Sequence, residues 1–137
     1  MNGNTSGKTI LIVDDERDLR ASIKMLLEDN GYNVLSASSA DEALETANAN
    51  IPNLICLDIM MPGSSGIALY AKIRKEPSLK NIPVMIVSAF GQQKDFKGER
   101  FRKIIFDDQA PEPEAFMEKP IDRHKFLDVV GKLLEKV

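Results

Sequence analysis

Short apolar runs that alternate with segments of helical periodicity constrain the fold of this chain more than any other feature of its sequence. The first run, Thr9–Val13, reads TILIV, which is typical of a strand buried on both faces. Further strands are predicted at Tyr32–Ala37, at Leu54–Leu57, at Pro83–Val87 with its end at Ser88, and at Ala115–Glu118. Because parallel strands need right-handed crossover helices, the alternation predicts a doubly wound α/β domain, with helices on both faces of a five-stranded parallel sheet.

Helix signals fill the gaps between the predicted strands. Apolar residues recur at helical spacing after the first strand, and Asn30-Gly31 supplies the stop for that helix. Ser39 and Glu42 have the spacing of a capping box at the start of a second helix, and a third follows the loop after the third strand. A charged segment at 91–106 is predicted to be helical, and Asp122 is predicted to cap the last helix.

Composition limits the class of protein. The 137 residues, 43% of them hydrophobic, suit one compact domain, with 1–8 as a flexible start and 9–137 as the folded unit. A net charge of −3 with mixed signs argues against direct nucleic-acid binding. Cys56 and His124 are the only residues of their kinds, which excludes an internal disulfide and a His/Cys zinc cluster. No apolar run approaches the roughly 18 residues that span a bilayer, and no signal peptide is evident, so no membrane contact and a cytoplasmic location are expected.

Polar residues follow four of the predicted strands, at the point where each strand ends. Asp14 and Asp15 follow the first strand, Asp58 the third and Lys119 the fifth, and Ser88 ends the fourth. Ligands of open parallel sheets bind at the carboxyl ends of the strands, near the point where the strand order reverses. Each residue taken singly could be a helix cap, a turn residue or a solvated charge. Their convergence on one edge instead predicts a functional site.

The chemistry of that edge follows from its charges. Carboxylates gathered within a few ångströms repel one another unless a cation neutralises them. Oxygen ligands favour a hard ion, and Mg²⁺, which takes one or two carboxylates together with phosphate oxygens, fits best. Asp58 could then attack phosphorus to form an aspartyl phosphate, while the metal and Lys119 offset the charge of the transferred group and Ser88 donates a hydrogen bond to it.

Four motifs stand at these strand ends: Val13–Glu16, Asp58–Pro62 with Gly66 beyond it, Ser88-Ala89 and Lys119-Pro120. They resemble the motifs of the receiver domain of two-component response regulators, of the chemotaxis-protein-Y-like type. Together, in this order, they make the resemblance specific, and it extends over nearly the whole chain from the first predicted strand.

The resemblance implies a flavodoxin-like fold of strand order 2-1-3-4-5, with the site at the switch between strands one and three. It implies that Asp58 accepts a phosphoryl group from a phosphohistidine on a sensor histidine kinase or a histidine phosphotransfer protein. Such a domain is a phosphorylation-dependent signalling switch rather than a separate enzyme, and it assists its own phosphoryl transfer and dephosphorylation. A downstream protein would dock on the face formed by the fourth helix, the fifth strand and the fifth helix.

Mg²⁺ is the one cofactor that the resemblance implies. Asp15 and Asp58 would bind it through their side chains, and Met60 through its backbone carbonyl. Asp14 would act indirectly, through a bound water and by orienting Lys119.

The resemblance also implies a switch. The hydroxyl of Ser88 would move toward the phosphoryl group and the ring of Phe116 would turn inward, and the Lys119–Pro120 bond is expected to be cis. Phe116 has no hydroxyl, so the switch would work by packing. Met60 and Phe90, two residues after Asp58 and Ser88, are apolar where they would flank the attacking water, which predicts a long-lived phosphoryl state.

Three other classes of protein compete with this interpretation. A haloacid-dehalogenase phosphatase also phosphorylates an aspartate after a strand, but it needs a second aspartate where Met60 stands. A flavodoxin-like electron carrier needs a phosphate loop after the first strand, where Asp14-Asp15-Glu16 would repel a nucleotide phosphate. A receiver that only serves as a scaffold for partners stays open, and labelling with a phosphoryl donor would separate it from an active one.

Overall fold

The computed structural model describes residues 7–59, 66–88 and 113–135. The described elements, in chain order, are β1 (Thr9–Val13), α1 (Arg17–Asp29), β2 (Asn33–Ala37), α2 (Ala40–Ala49), β3 (Leu54–Leu57), α3 (Gly66–Lys75), β4 (Val84–Ser88), β5 (Ala115–Glu118) and α4 (Arg123–Glu135). The helix predicted at 91–106 lies outside the described residues. In those described, no helix has both the length and the apolar character needed to cross a bilayer.

The five described strands pair in parallel, in the order β2-β1-β3-β4-β5. This order confirms the predicted doubly wound sheet. The chain reverses its direction of winding between β1 and β3, which are neighbours in the sheet, so the carboxyl ends of these two strands border the switch point.

Alternating side chains of each strand pack into two separate hydrophobic cores, one on each face of the sheet. On β1, Leu11 and Val13 point into a cluster with residues of α2 and α3, whereas Ile10 and Ile12 point into a cluster with residues of α1 and α4. A strand has this two-residue period, and with helices on both faces every position is apolar. The uninterrupted apolar runs of the sequence are therefore explained by burial on both faces of the sheet.

Local hydrogen bonds set the helix boundaries. The backbone of Gly31, just after α1, has a φ of 93°, a left-handed conformation that glycine adopts without strain. Ser39 caps α2 by accepting the Glu42 backbone N–H at 3.2 Å. The reciprocal bond of the predicted capping box goes elsewhere, because the Glu42 carboxylate accepts the backbone N–H of Ser38 at 2.7 Å. At α4, the predicted cap Asp122 accepts the Lys125 backbone N–H at 3.1 Å.

The single cysteine is buried, whereas the single histidine is exposed. Cys56 on β3 is 2% exposed, and burial raises the pKa of its thiol. A buried thiol of this kind behaves as a small apolar side chain. His124, in the first turn of α4, is exposed.

A buried arginine joins α3 to the amino ends of β4 and β5. The guanidinium of Arg74 donates to the Tyr70 hydroxyl at 2.9 Å and to the carbonyl oxygens of Lys80 and Ile82 at 3.0 and 2.8 Å. It also pairs with the Glu114 carboxylate at 2.6 Å. This cluster could not be predicted from the sequence, because a charged residue on an amphipathic helix ordinarily faces solvent.

Candidate functional site

Backbone pairing carries two aspartates to the carboxyl edge of the sheet. The Asp14 N–H donates to the Ala37 carbonyl at 3.1 Å, and the Asp58 N–H donates to the Val13 carbonyl at 2.8 Å. Each bond extends a strand ladder by one residue, so the backbone of both aspartates is fixed by the sheet. Their side chains are consequently held side by side at the switch point.

Three carboxylates meet there. Oxygen atoms of Asp14, Asp15 and Asp58 all lie within 4.8 Å of one another. Asp14 and Asp58 are only 2% and 4% exposed, whereas Asp15 is exposed to solvent. Burial of two carboxylates with a third beside them carries a large electrostatic cost, which a divalent cation would offset. An all-oxygen donor set of this kind fits Mg²⁺.

Lys119 lies opposite the acids. Its ammonium is 2.8 Å from Asp14 Oδ2, 2.9 Å from Glu16 Oε1 and 3.3 Å from Asp58 Oδ2. Burial works against the charged ammonium, but the hydrogen bonds to Asp14 and Glu16 and the charges of Asp14 and Asp58 outweigh it, so the pKa of Lys119 is raised above its ordinary value. The lysine is therefore charged throughout the physiological range. Its bond to Pro120 is cis, as the resemblance implied.

Asp14 is oriented by the segment that leads into α1. Its Oδ1 accepts the Glu16 backbone N–H at 2.8 Å, and its carbonyl oxygen accepts a bond from the Arg20 guanidinium at 2.6 Å. The N-cap of α1 is Glu16, which makes no side-chain cap bond. Neither Asp14 nor Asp15 is therefore the N-cap of α1, which excludes the helix-cap interpretation of these two residues.

Gly66 is explained by a close approach of two backbone segments. A Cβ atom at this position would lie 2.5 Å from Ile59 Cα and 2.6 Å from the Asp58 carbonyl oxygen. Real Cβ atoms do not approach other atoms so closely, so α3 can begin here only with glycine. The start of α3 thereby packs directly on the backbone that carries Asp58.

The remaining predicted residues are placed in part. Ser88 ends β4 and pairs in register with Glu118, the residue before Lys119, which puts its backbone at the same edge; its side chain lies outside the described structure. Phe116 is half-buried, pairs in register with Ile86 and packs on the core cluster of the α2 and α3 face. Met60 and Phe90 lie outside the described residues.

Sequence reasoning missed two residues of the site, Glu16 and Arg20. Glu16 belongs to the acidic run after the first strand, but its bond to Lys119 spans 103 positions. Arg20 stands on the first turns of α1, six residues after the carbonyl group that it contacts. The only sequence signal for either was proximity to Asp14.

An apolar groove adjoins the site. It lies between α1 and the segment that connects β5 to α4, has a volume of about 560 Å³, and runs from Glu16 and Lys119 at the site to Leu26 and Arg123. Leu19, Pro120 and Ile121 are among the residues that line it.

The sheet order and the acids with their opposing lysine define a class, the doubly wound α/β domains that bind ligands at a topological switch point. Comparison with known families is more specific. The family model of the response regulator receiver domain matches residues 10–130. The chain belongs to this family, whose members are signalling switches of two-component systems.

Individual relatives agree with this assignment. The chain is 36% identical over 88 residues to the phosphate regulon transcriptional regulatory protein PhoB of Escherichia coli, a match that covers 64% of this chain and 38% of PhoB. It therefore spans well under half the length of that relative. Over 127 residues it is 31% identical to the polar-differentiation response regulator DivK of Brucella ovis, covering 93% of this chain and 96% of DivK. The structure of the response regulator TrrA of Thermotoga maritima, described as a complex with Mg²⁺-BeF, superposes with a TM-score of 0.74 at 27% identity, covering 92% of this chain and 98% of TrrA.

Proposed function

We propose that the chain is a phosphoacceptor receiver domain of a two-component phosphorelay, which takes a phosphoryl group from a phosphohistidine donor onto Asp58. One observation carries the proposal: the Asp58 carboxylate is 4% exposed, lies within 4.8 Å of oxygens of two other acids and is 3.3 Å from the Lys119 ammonium. A nucleophile, a candidate cation site and a fixed positive charge thus share one point of the molecule. Membership of the receiver family supports the same assignment.

Asp15 and Asp58 would hold Mg²⁺ through their side chains, together with the Met60 carbonyl group, and Asp14 would act through a bound water. The ion would supply neutralisation of the acids and of the transferred oxygens. The donor set of described carboxylates fits this ion, and a relative of the same fold is described as a complex with Mg²⁺-BeF. No other cofactor is needed for the transfer.

The chain's own residues would perform the transfer as follows. A carboxylate oxygen of Asp58 attacks phosphorus, the bond from phosphorus to the donor's imidazole nitrogen breaks, and the electron pair of that bond stays on the nitrogen, which takes up a proton from solvent. Lys119 stabilises the negative charge on the phosphoryl oxygens because its ammonium is already beside Asp58. Ser88 would then hydrogen-bond the phosphoryl group.

The signal would leave the site through β4 and β5. Ser88 and Phe116 stand on these adjacent, paired strands, so a shift of one strand end is passed to the other. In this proposal Phe116 responds by repacking against the core that it already contacts. A downstream protein would dock on the face that includes β5 and the C-terminal helix, and the phosphohistidine donor would be a cytoplasmic sensor kinase or phosphotransfer protein.

Labelling by a small phosphoryl donor tests the proposal. The protein is incubated with phosphoramidate or acetyl phosphate and Mg²⁺, and the gain of one phosphoryl unit is followed by intact mass. The wild type should be labelled, EDTA should abolish labelling, and Asp58→Asn should remove it because an amide is a poor nucleophile. Asp29→Asn, an exposed position at the C-terminal end of α1, makes the same change at the end of that helix opposite to the site and should label like the wild type. A wild type that takes no label, or an Asp58→Asn variant that labels normally, contradicts the proposal.

A further inference from the structure

The ammonium of Lys119 has no donor to spare. An ammonium group has three N–H donors, and three carboxylate oxygens surround this one, from Asp14, Glu16 and Asp58 at 2.8, 2.9 and 3.3 Å. The two shortest contacts go to residues at the end of β1, and the longest goes to Asp58. The ammonium is therefore held toward the β1 side of the site.

These three partners differ in the cost of losing the ammonium. The side chains of Asp14 and Asp58 are 3% and 4% exposed, whereas that of Glu16 is 60% exposed. A buried carboxylate left without its cation bears a large desolvation cost, while an exposed one is solvated again by water. Glu16 is consequently the partner that Lys119 can release most easily.

We propose that Glu16 is a positioning residue that competes with the phosphoryl group for the Lys119 ammonium. It thereby weakens the binding of a phosphoryl group, or of an anion that mimics one, at Asp58. This inference rests on the proposed phosphorylation of Asp58. A phosphoryl group attached there extends beyond the carboxylate, so the ammonium must move away from β1 to reach its oxygens. Asp14 keeps its bond because it is buried, and the bond that yields is the one to Glu16.

The competition has a predictable size and salt dependence. An ion pair with one exposed partner contributes little, so its removal is expected to change binding by about threefold. Screening by salt weakens such a pair further, since the Debye length falls to about 3 Å at 1 M salt. The effect of Glu16 should therefore be largest at low ionic strength.

Binding of beryllofluoride, an anion that mimics a phosphoryl group on an aspartate, measures this competition without any chemical step. Wild type and Glu16→Gln are titrated at saturating Mg²⁺, and the bound anion is quantified by ¹⁹F NMR. Glu16→Gln should bind about threefold more tightly at low salt, with the difference shrinking toward 1 M salt. Urea unfolding of both proteins checks that the substitution leaves the fold intact.

Two further variants separate the contact from the charge. Glu16→Asp keeps the charge but shortens the side chain, so it should also bind more tightly than the wild type. Asp18→Asn, on the first turn of α1, removes an exposed charge nearby and should leave binding unchanged. Equal or weaker binding by Glu16→Gln overturns the inference, as does a Glu16→Asp variant that matches the wild type. A wild type that binds no beryllofluoride overturns the proposed function and the inference together.

Discussion

Replacement of Arg74 by methionine should destabilise the fold more than any other change of a charged residue in the described helices. Arg74 is 8% exposed and makes four hydrogen bonds, to a hydroxyl, two carbonyl groups and the Glu114 carboxylate. Methionine keeps much of the unbranched stem but removes every donor. The same Glu114 oxygen also accepts the Val84 backbone N–H at 2.7 Å, so the change reaches the start of β4 as well.

The magnitude follows from what the substitution leaves behind. Removal of one partner of a buried ion pair costs about 3–5 kcal/mol, and each buried acceptor that loses its donor costs about 1–3 kcal/mol. The Glu114 side chain is 39% exposed, so water replaces part of its lost pairing and the lower end of the range applies. We expect a loss of about 3 kcal/mol in the free energy of unfolding, a large share of the total of about 5–15 kcal/mol for a domain.

Urea unfolding followed by circular dichroism checks this value. With a slope of about 2 kcal/mol per molar, the midpoint should fall by about 1.5 M urea while the slope stays constant. Arg17→Met is the matched control, because Arg17 is exposed at the start of α1 and its loss should change stability by less than about 0.5 kcal/mol. The structural role assigned to Arg74 is refuted if the unfolding free energies of Arg74→Met and the wild type differ by less than about 1 kcal/mol, which is roughly the contribution of one ordinary hydrogen bond.

Three other substitutions should change the free energy of unfolding in a direction that the structure predicts. Glu42→Gln should destabilise the fold at pH 7 by at most about 0.5 kcal/mol in urea unfolding, because bonds from Ser38 lower the pKa of Glu42 but solvent screens this exposed side chain. Because the pKa of Glu42 is lower in the folded state, its ionised carboxylate stabilises the fold at pH values above the ordinary pKa of 4.5. The difference in unfolding free energy between Glu42→Gln and the wild type should therefore vanish as the pH falls through the lowered pKa. A difference that persists in acid contradicts the role of the charge. Gly66→Ala should destabilise by about 1–3 kcal/mol and slow phosphoryl labelling, because the new methyl group displaces the Asp58 backbone. Gly131→Ala, with open space around its Cβ on α4, should instead stabilise by up to about 1 kcal/mol, and equal effects of the two alanines would discard the steric argument.

The sheet could be predicted from the sequence because its strands are visible as short apolar runs. The central strands β1, β3 and β4 are buried on both faces and are almost entirely apolar, whereas the edge strands β2 and β5 include polar residues. The predicted runs match the observed strands to within one residue at each end. Parallel topology then places all strand ends of one kind on one edge. The convergence of Asp14, Asp58 and Lys119 therefore follows from strand boundaries alone, before any side chain is placed.

Contacts between side chains far apart in sequence could not be predicted in this way. Arg74 meets Glu114 across 40 positions, and Lys119 meets Glu16 across 103. Nothing in the local sequence around Arg74 or Glu16 distinguishes their charges from solvated ones. The pairing of these charges depends on the paths of the connecting loops. Hydrophobic periodicity does not determine those paths.

Residues that stabilise the fold and residues of the proposed chemistry lie at opposite edges of the sheet. Arg74 and Glu114 lie at the amino ends of β4 and β5, whereas the acid cluster lies at the carboxyl ends of β1 and β3 and Lys119 lies at the carboxyl end of β5. At the amino edge of the sheet, opposite charges are paired and stabilise the fold. At the carboxyl edge, like charges are held together at an electrostatic cost that only a cation or an ammonium offsets. Loss of Arg74 should thus lower the fraction of folded molecules without altering the site within each of them. Loss of Gly66 should alter both, because its close contact is with the backbone of Asp58 itself.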